Sequence, residues 1–477
     1  MDSPGHSFFD FWKLPDKQVV FTAGEDADHL ALVKIYMPEP SKPGTAPALY
    51  QWGSGHFYAS LSPVEGVHDG AQILNASGQT VGGVALDPAN RTITLPFNLD
   101  EGVWHLLNEN YIKSEKEQVV LNWLRKAYYA LKPLMPRGLQ MALRRKSVER
   151  MALRTFPAWP VDGSVDSLLY TLAGLILTIV PGNTFPMISF WPRGYDFCLV
   201  LSHDVETQMG FENIDKIVAV ERRCGVRSVW NIVAERYPVD EKVLQSLRAD
   251  GYEIGVHGLR HDGKMFQSRH RFLAEAKQIN NYIKRWDCSG FRSPSLLRNL
   301  EWLSENIHTE YDSSFPASEF YGAQPGGCCT VFPFICPGRD GRMVELPITL
   351  QEDHTLLETL GLSPETMLDT WLESVKAIKS LHGMVLLIAH PDYLLSEERL
   401  KAYETFLQTM KADTGCWCAL PKEVASWWRQ RHQSSLVRQD GAWVIEGPAA
   451  TRGQVMDLVF DGGLVHLKPQ QPFSVEK

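Results

Sequence analysis

FCLVLSHDVE, residues 197–206, is the stretch on which the fold turns: a short apolar run, then Ser202, His203, Asp204, Val205 and Glu206. An apolar run of this length suits a buried strand better than a helix, and this one delivers two carboxylates one residue apart at its end. Working outward, the pattern repeats. The strand expected over 253–256 runs into His257, Gly258, Leu259, Arg260 and His261, one over 290–293 carries Arg292 into Pro294, and one over 384–389 ends in His390, Pro391 and Asp392. Further strands are expected over 227–233, 343–348 and 417–420, with helices over 212–224, 240–249, 266–286, 364–381 and 397–411 between them. Alternation of this kind predicts a parallel sheet rolled into a (β/α) barrel with chemistry at the carboxyl ends of its strands. The strands legible in the sequence number about seven, one short of the eight of a closed barrel.

The flanks have a different texture. Up to residue 114, β-prone runs such as 18–22 and 31–37 alternate with Gly, Pro and Asn clusters, which predicts a mainly-β N-terminal domain. Over 115–154 Leu, Lys, Arg, Ala and Gln recur at helical spacing, broken by Pro133 and Pro136. A helical connector is therefore expected over 115–190, the barrel domain over 191–432, and a small C-terminal β extension over 433–477. The apolar window 168–180 falls short of the roughly 20 residues that cross a bilayer and reads as a buried helix, with peripheral membrane contact as the alternative.

A chain of 477 residues exceeds one ordinary core. With 44% hydrophobic and 22% charged residues it has the composition of a globular protein. A net charge of −9 and a basic patch no longer than Arg144, Arg145 and Lys146 weigh against a nucleic-acid partner. The first residues lack the basic and apolar regions of a secretory signal, so the cytoplasm is the expected location. Eight cysteines without a CxxC pair predict reduced, structural thiols rather than a zinc ribbon or a disulfide framework. Nothing in the pattern speaks to oligomeric state.

Each polar strand end has an ordinary explanation alone: an Asp after a strand often caps a turn, and a buried His often just satisfies a carbonyl. Their recurrence in order on successive strands is what packing does not supply. About half of the chain resembles the polysaccharide deacetylase family, the NodB-homology domains of carbohydrate esterase family four. The family's TFDDG is similar to residues 202–206; its H-S/T-x-x-H matches His257 and His261 with Gly258 between; its R-x-P-Y matches Arg292 and Pro294 with Ser295 in place of the aromatic; and its closing apolar run ending in His matches 386–390.

The resemblance implies a NodB-type irregular (β/α) barrel that hydrolyses N-acetyl groups of an amino-sugar carbohydrate, either a polysaccharide or a glycan precursor. Asp204 would be the general base, His390 the general acid, and Arg292 the partner that keeps Asp204 ionised. His257 and His261 would hold a divalent metal ion, zinc before nickel, cobalt or iron. Val205 stands where the common motif has its second metal-binding Asp, so Glu206 is the expected third ligand. Asp353, or else Asp312, would orient His390. A backbone N–H just after Pro294, beside Ser295, would face the oxyanion, and Trp230, Phe320 or Tyr321 would stack on sugar. Two further readings stay open: another C–N hydrolase on the same barrel, such as a deformylase or ring-opening amidase, and a catalytically silent carbohydrate-binding homologue.

Overall fold

The structure is a computed structural model that describes residues 7–16, 18–22, 32–40, 47–64, 67–112, 155–338, 341 and 343–470. The helical segment expected over 115–154 lies outside them. The chain packs as two units: Met1–Tyr111 with Gly163–Gly194 and Trp427–Lys477, and Ile112–Asp162 with Tyr195–Ser426.

In the first unit, β1 Val19–Thr22, β2 Val33–Tyr36, β3 Ala48–Trp52, β4 Gly55–Ala59, β5 Val67–Asn75, β6 Thr80–Asp87 and β7 Thr92–Thr94 form one sheet in the order β1-β2-β7-β6-β5-β3-β4. The apolar segment becomes the helix Ser164–Ile179, whose Leu168, Leu172 and Ile176 are buried. It lies close on β4, for a Cβ on Gly55 would come within 2.7 Å of the Ser164 carbonyl. After it, β8 Thr184–Ile188 pairs antiparallel with Val455–Asp461, which in turn pairs with Leu464–Pro469. The sequence reading put 164–188 in a connector and the last strands in a separate extension, whereas here they share one packing unit. Pro186 hides β8 from a reading of the sequence, yet it is tolerated there because β8 is the edge strand of a three-stranded sheet.

The second unit carries the expected α/β alternation as a curled sheet of nine strands: β9 Phe197–Val205, β10 Val229–Ile232, β11 Glu253–Val256, β12 Gly290–Phe291, β13 Tyr311–Asp312, β14 Phe334–Ile335, β15 Val344–Glu345, β16 Met384–Ile388 and β17 Cys416–Ala419. Their order is β14-β15-β13-β12-β11-β10-β9-β16, and every pairing is parallel except β14 with β15. The central strand β9 is buried at every residue, the polar Ser202, His203 and Asp204 included, after the apolar run over 197–201 that opens it. β17 lies against its first half and β10 against its second, with β16 on its other side. Past β15 the chain swings to β16, where Leu350 N donates to Leu386 O at 3.1 Å and Leu386 N donates to Thr349 Oγ1 at 2.8 Å. β13 and β14, each two residues long, are too short to leave a pattern in the sequence.

Helix ends follow local chemistry. Gly225, at φ +66°, stops Ile214–Cys224 in the left-handed conformation, and Ser363 caps Pro364–Ser380 with proline at its first position. The registers then fix which side chains share a face: Asp204 stands opposite Asn231, and His203 opposite Trp230.

Candidate active site

His257 leaves β11 fully buried, with Nδ1 3.1 Å from the Arg292 carbonyl. A carbonyl only accepts, so Nδ1 carries the proton and Nε2 presents its lone pair. That Nε2 has no hydrogen-bond partner and lies 3.7 Å from Asp204 Oδ2. His261 Nε2 comes within 2.8 Å of Glu206 Oε1, close but not aligned as a hydrogen bond. The loop between the two imidazoles uses left-handed backbone at Gly258 (φ +65°) and His261 (φ +51°). One nitrogen of each imidazole and one oxygen of Glu206 fall within 4.8 Å of one another.

Buried polar atoms without partners cost about 1–3 kcal/mol each. A divalent cation would satisfy all three donors together, and two imidazoles with one carboxylate, His257 being fixed from behind by the Arg292 carbonyl, make a donor set that suits zinc. Burial depresses His257 to a pKa of about 4, keeping it a neutral ligand. Burial works to raise Glu206, but His261 and His390 outweigh it and hold the carboxylate ionised.

Asp204 sits beside this cluster at the end of β9. Its Oδ1 accepts from Asn231 Nδ2 at 2.9 Å and from Arg292 Nη1 at 3.1 Å. Arg292 is itself buried and locked: Nε donates to Ser313 O, Nη2 to Ser313 Oγ and Nη1 to Ser202 Oγ, each at 2.8 Å. Burial pushes the Asp204 carboxyl upward, yet Arg292, His257 and His390 bring it below its ordinary value. His390, after β16, has Nδ1 2.6 Å from Asp353 Oδ1, while its backbone N–H donates to Asp353 Oδ2 at 2.8 Å. Burial alone would discharge the ring, but Asp353 holds it protonated well above the usual histidine value. Its Nε2 lies 4.0 Å from Glu206 Oε1.

The structure thus brings Asp204, Glu206, His257, His261, Arg292, Asp353 and His390 together. Asp312 stands elsewhere: Oδ1 accepts from Ser314 Oγ at 2.8 Å, and burial holds its carboxyl and that of Glu345 on the neighbouring strand in a raised, proton-sharing pair. Pro294 packs over Gly258, and Ser295 follows it in left-handed backbone at φ +56°. Trp230 is a correction. It is fully buried and stacks on His203 at 4.3 Å, on the face of the sheet opposite Asp204 and Asn231, so it does not line the site. Phe320 is buried as well, whereas half-buried Tyr321 meets exposed Trp159 edge to face at 6.2 Å.

No family model matches the sequence, and no curated protein matches it. Solved structures do. One, from Mycobacterium smegmatis and described as a polysaccharide deacetylase, aligns over 52% of this chain and 96% of its own at 17% identity and a TM-score of 0.44. The Puue allantoinase aligns over 50% and 92% at 13% identity and a TM-score of 0.41. Peptidoglycan deacetylase PdaC of Bacillus subtilis aligns over 49% and 93% at 12% identity and a TM-score of 0.33. Several of the solved structures this chain resembles are described as polysaccharide or peptidoglycan deacetylases. Among the described residues no helix is long and apolar enough to cross a membrane.

Three residues near this centre were given no role in the sequence reading. Asn231 follows from strand parity, since it is in register with Asp204. Glu352 precedes Asp353, and burial raises its carboxyl to about 8 against the pull of His390, with Glu319 and Asp204 adding to the rise. It lies three residues before a short π-helical turn, Thr355–Thr359, a geometry frequent at functional sites. Asp392 contacts the Glu206 turn and is taken up below.

Proposed function

We propose that this chain is a metal-dependent amide hydrolase of the NodB barrel type that removes N-acetyl groups from an amino-sugar carbohydrate, with 191–432 as its catalytic domain. The observation that carries the reading is the pair of buried imidazole Nε2 atoms without hydrogen-bond partners, beside an ionised Glu206 and flanked by Asp204 and His390. Glu206, His257 and His261 would hold the ion. When bound, a divalent cation supplies positive charge that polarises an amide carbonyl and acidifies water.

The protein side of the reaction follows from the proton positions. Asp204, kept ionised by Arg292, accepts a proton from the attacking water. The imidazolium of His390, kept charged by Asp353, donates its Nε2 proton to the departing nitrogen. The C–N bond breaks, giving acetate and a free amine. Asn231 fixes the Asp204 carboxylate in plane, and the base and the acid of the reaction stay in opposite protonation states because their partners, Arg292 and Asp353, have opposite charge.

Zinc analysis of protein purified without added metal, set beside a His257→Ala, His261→Ala variant, tests the reading. About one equivalent in the parent and none in the variant is expected, together with acetate release from N-acetylated oligosaccharides. Negligible metal in both removes the mechanism. Release of formate or opening of a cyclic amide, without acetate, transfers the site to a different C–N hydrolase.

A further inference from the structure

Asp392 follows His390 by two residues, is 6% exposed, and turns its carboxylate toward the chain after β9. Oδ2 accepts from the backbone N–H of Glu206 at 3.3 Å, and Oδ1 accepts from the Thr207 hydroxyl. Thr207 caps the helix Gln208–Glu212, its Oγ1 accepting from Gly210 N at 3.3 Å. Gly210 itself is pressed against the same group, since a Cβ there would lie 2.2 Å from Asp392 Oδ2. One carboxylate therefore registers three successive features of a single turn: the Glu206 amide, the Thr207 cap and the bare backbone of Gly210.

That turn is in need of a brace. Val205 is the last residue of β9, so Glu206 stands beyond the sheet's hydrogen-bonded ladder. Its side chain also has one more rotatable bond than an aspartate at the same place. From the other side the Tyr237 hydroxyl donates to the Val205 carbonyl at 2.7 Å, which fixes the strand end but not the turn.

We propose that Asp392 is a positioning residue for the metal ligand Glu206, clamping its turn to the loop that carries the acid His390 so that ligand and proton donor keep a fixed separation. This rests on the metal-hydrolase reading. Bonds to groups behind a ligand set its orientation, and their loss typically weakens metal affinity about 10–100-fold. The clamp works through acceptor geometry. An Asn at 392 retains an oxygen for the Glu206 N–H, and its amide can donate to Thr207 Oγ1.

Zinc affinity measured by competition with a chromogenic chelator, and the visible spectrum of the cobalt-loaded protein, test the clamp in the full chain. Asp392→Ala should bind zinc about 10–100-fold more weakly and alter the cobalt bands, while Asp392→Asn stays close to the parent. Gly210→Ala should also weaken zinc binding, by displacing the same carboxylate without removing a polar group. The proposal is overturned if Asp392→Ala and Gly210→Ala bind zinc as the parent does, or if Asp392→Asn is as weak as Asp392→Ala. A parent protein that binds no zinc sinks the metal-hydrolase reading instead.

Discussion

Two histidine–acid clusters grow from adjacent residues of β9, one on each face of the sheet. Behind the sheet, His203 has Nδ1 2.7 Å from the Ala389 carbonyl and Nε2 2.8 Å from Glu221 Oε1, and Glu221 also accepts from Ser228 Oγ and the Tyr403 hydroxyl at 2.8 Å each. Every nitrogen of His203 and both oxygens of Glu221 are occupied. In front, Asp204 is held as firmly, but the Nε2 atoms of His257 and His261 make no aligned hydrogen bond and face the carboxylates of Asp204 and Glu206. Composition does not separate the two clusters, as each has buried imidazole, carboxylate and hydroxyl. What separates them is satisfaction: one network closes on itself through hydrogen bonds, and the other leaves two imidazole nitrogens without an aligned partner.

Substitutions on the two faces should therefore fail in different ways. The largest effect is expected from His257→Ala with His261→Ala, which should abolish zinc binding and acetate release while the protein stays folded by circular dichroism. Asp204→Asn should keep its zinc but lose about 10²–10⁴-fold in kcat, the usual worth of a general base. Glu221→Ala should do the reverse, lowering stability in urea by about 3–5 kcal/mol because a buried partner is removed, with zinc per folded molecule unchanged. Loss of zinc in Glu221→Ala without loss of stability would erase the distinction between the faces.

Acid–base behaviour sharpens it further. Asp353 is the main reason His390 keeps its proton above the ordinary histidine value. In Asp353→Asn that support goes, the His390 pKa falls, and the alkaline limb of the kcat profile should move to lower pH. An unmoved limb would mean that another group is the acid. Trp230→Phe, on the rear face, should leave kcat and its pH profile unchanged.

How much of this was legible in the sequence depends on whether a residue acts through its own strand or through a distant one. Asp204, His257, Arg292 and His390 each end a recognisable apolar run, so order along the chain already placed them on one rim. Trp230 was misplaced for want of counting parity: β10 puts Asn231 beside Asp204, so its predecessor must point to the other side. Glu352 and Asp392 lay next to residues that were singled out, yet what they touch is set by packing between β9, β15 and β16, which no local pattern encodes. β8 was lost to its proline, and β13 and β14 to their brevity.

Gly258 illustrates how such a centre constrains its own history. With φ at +65° and a Cβ that would fall 2.5 Å from Pro294 Cγ, it interlocks the imidazole loop with the loop of Arg292. A side chain at 258 on the present backbone would press on that ring and would also carry the cost of a left-handed conformation. In a library randomised at 258, the clones that keep this loop geometry should therefore be enriched in glycine.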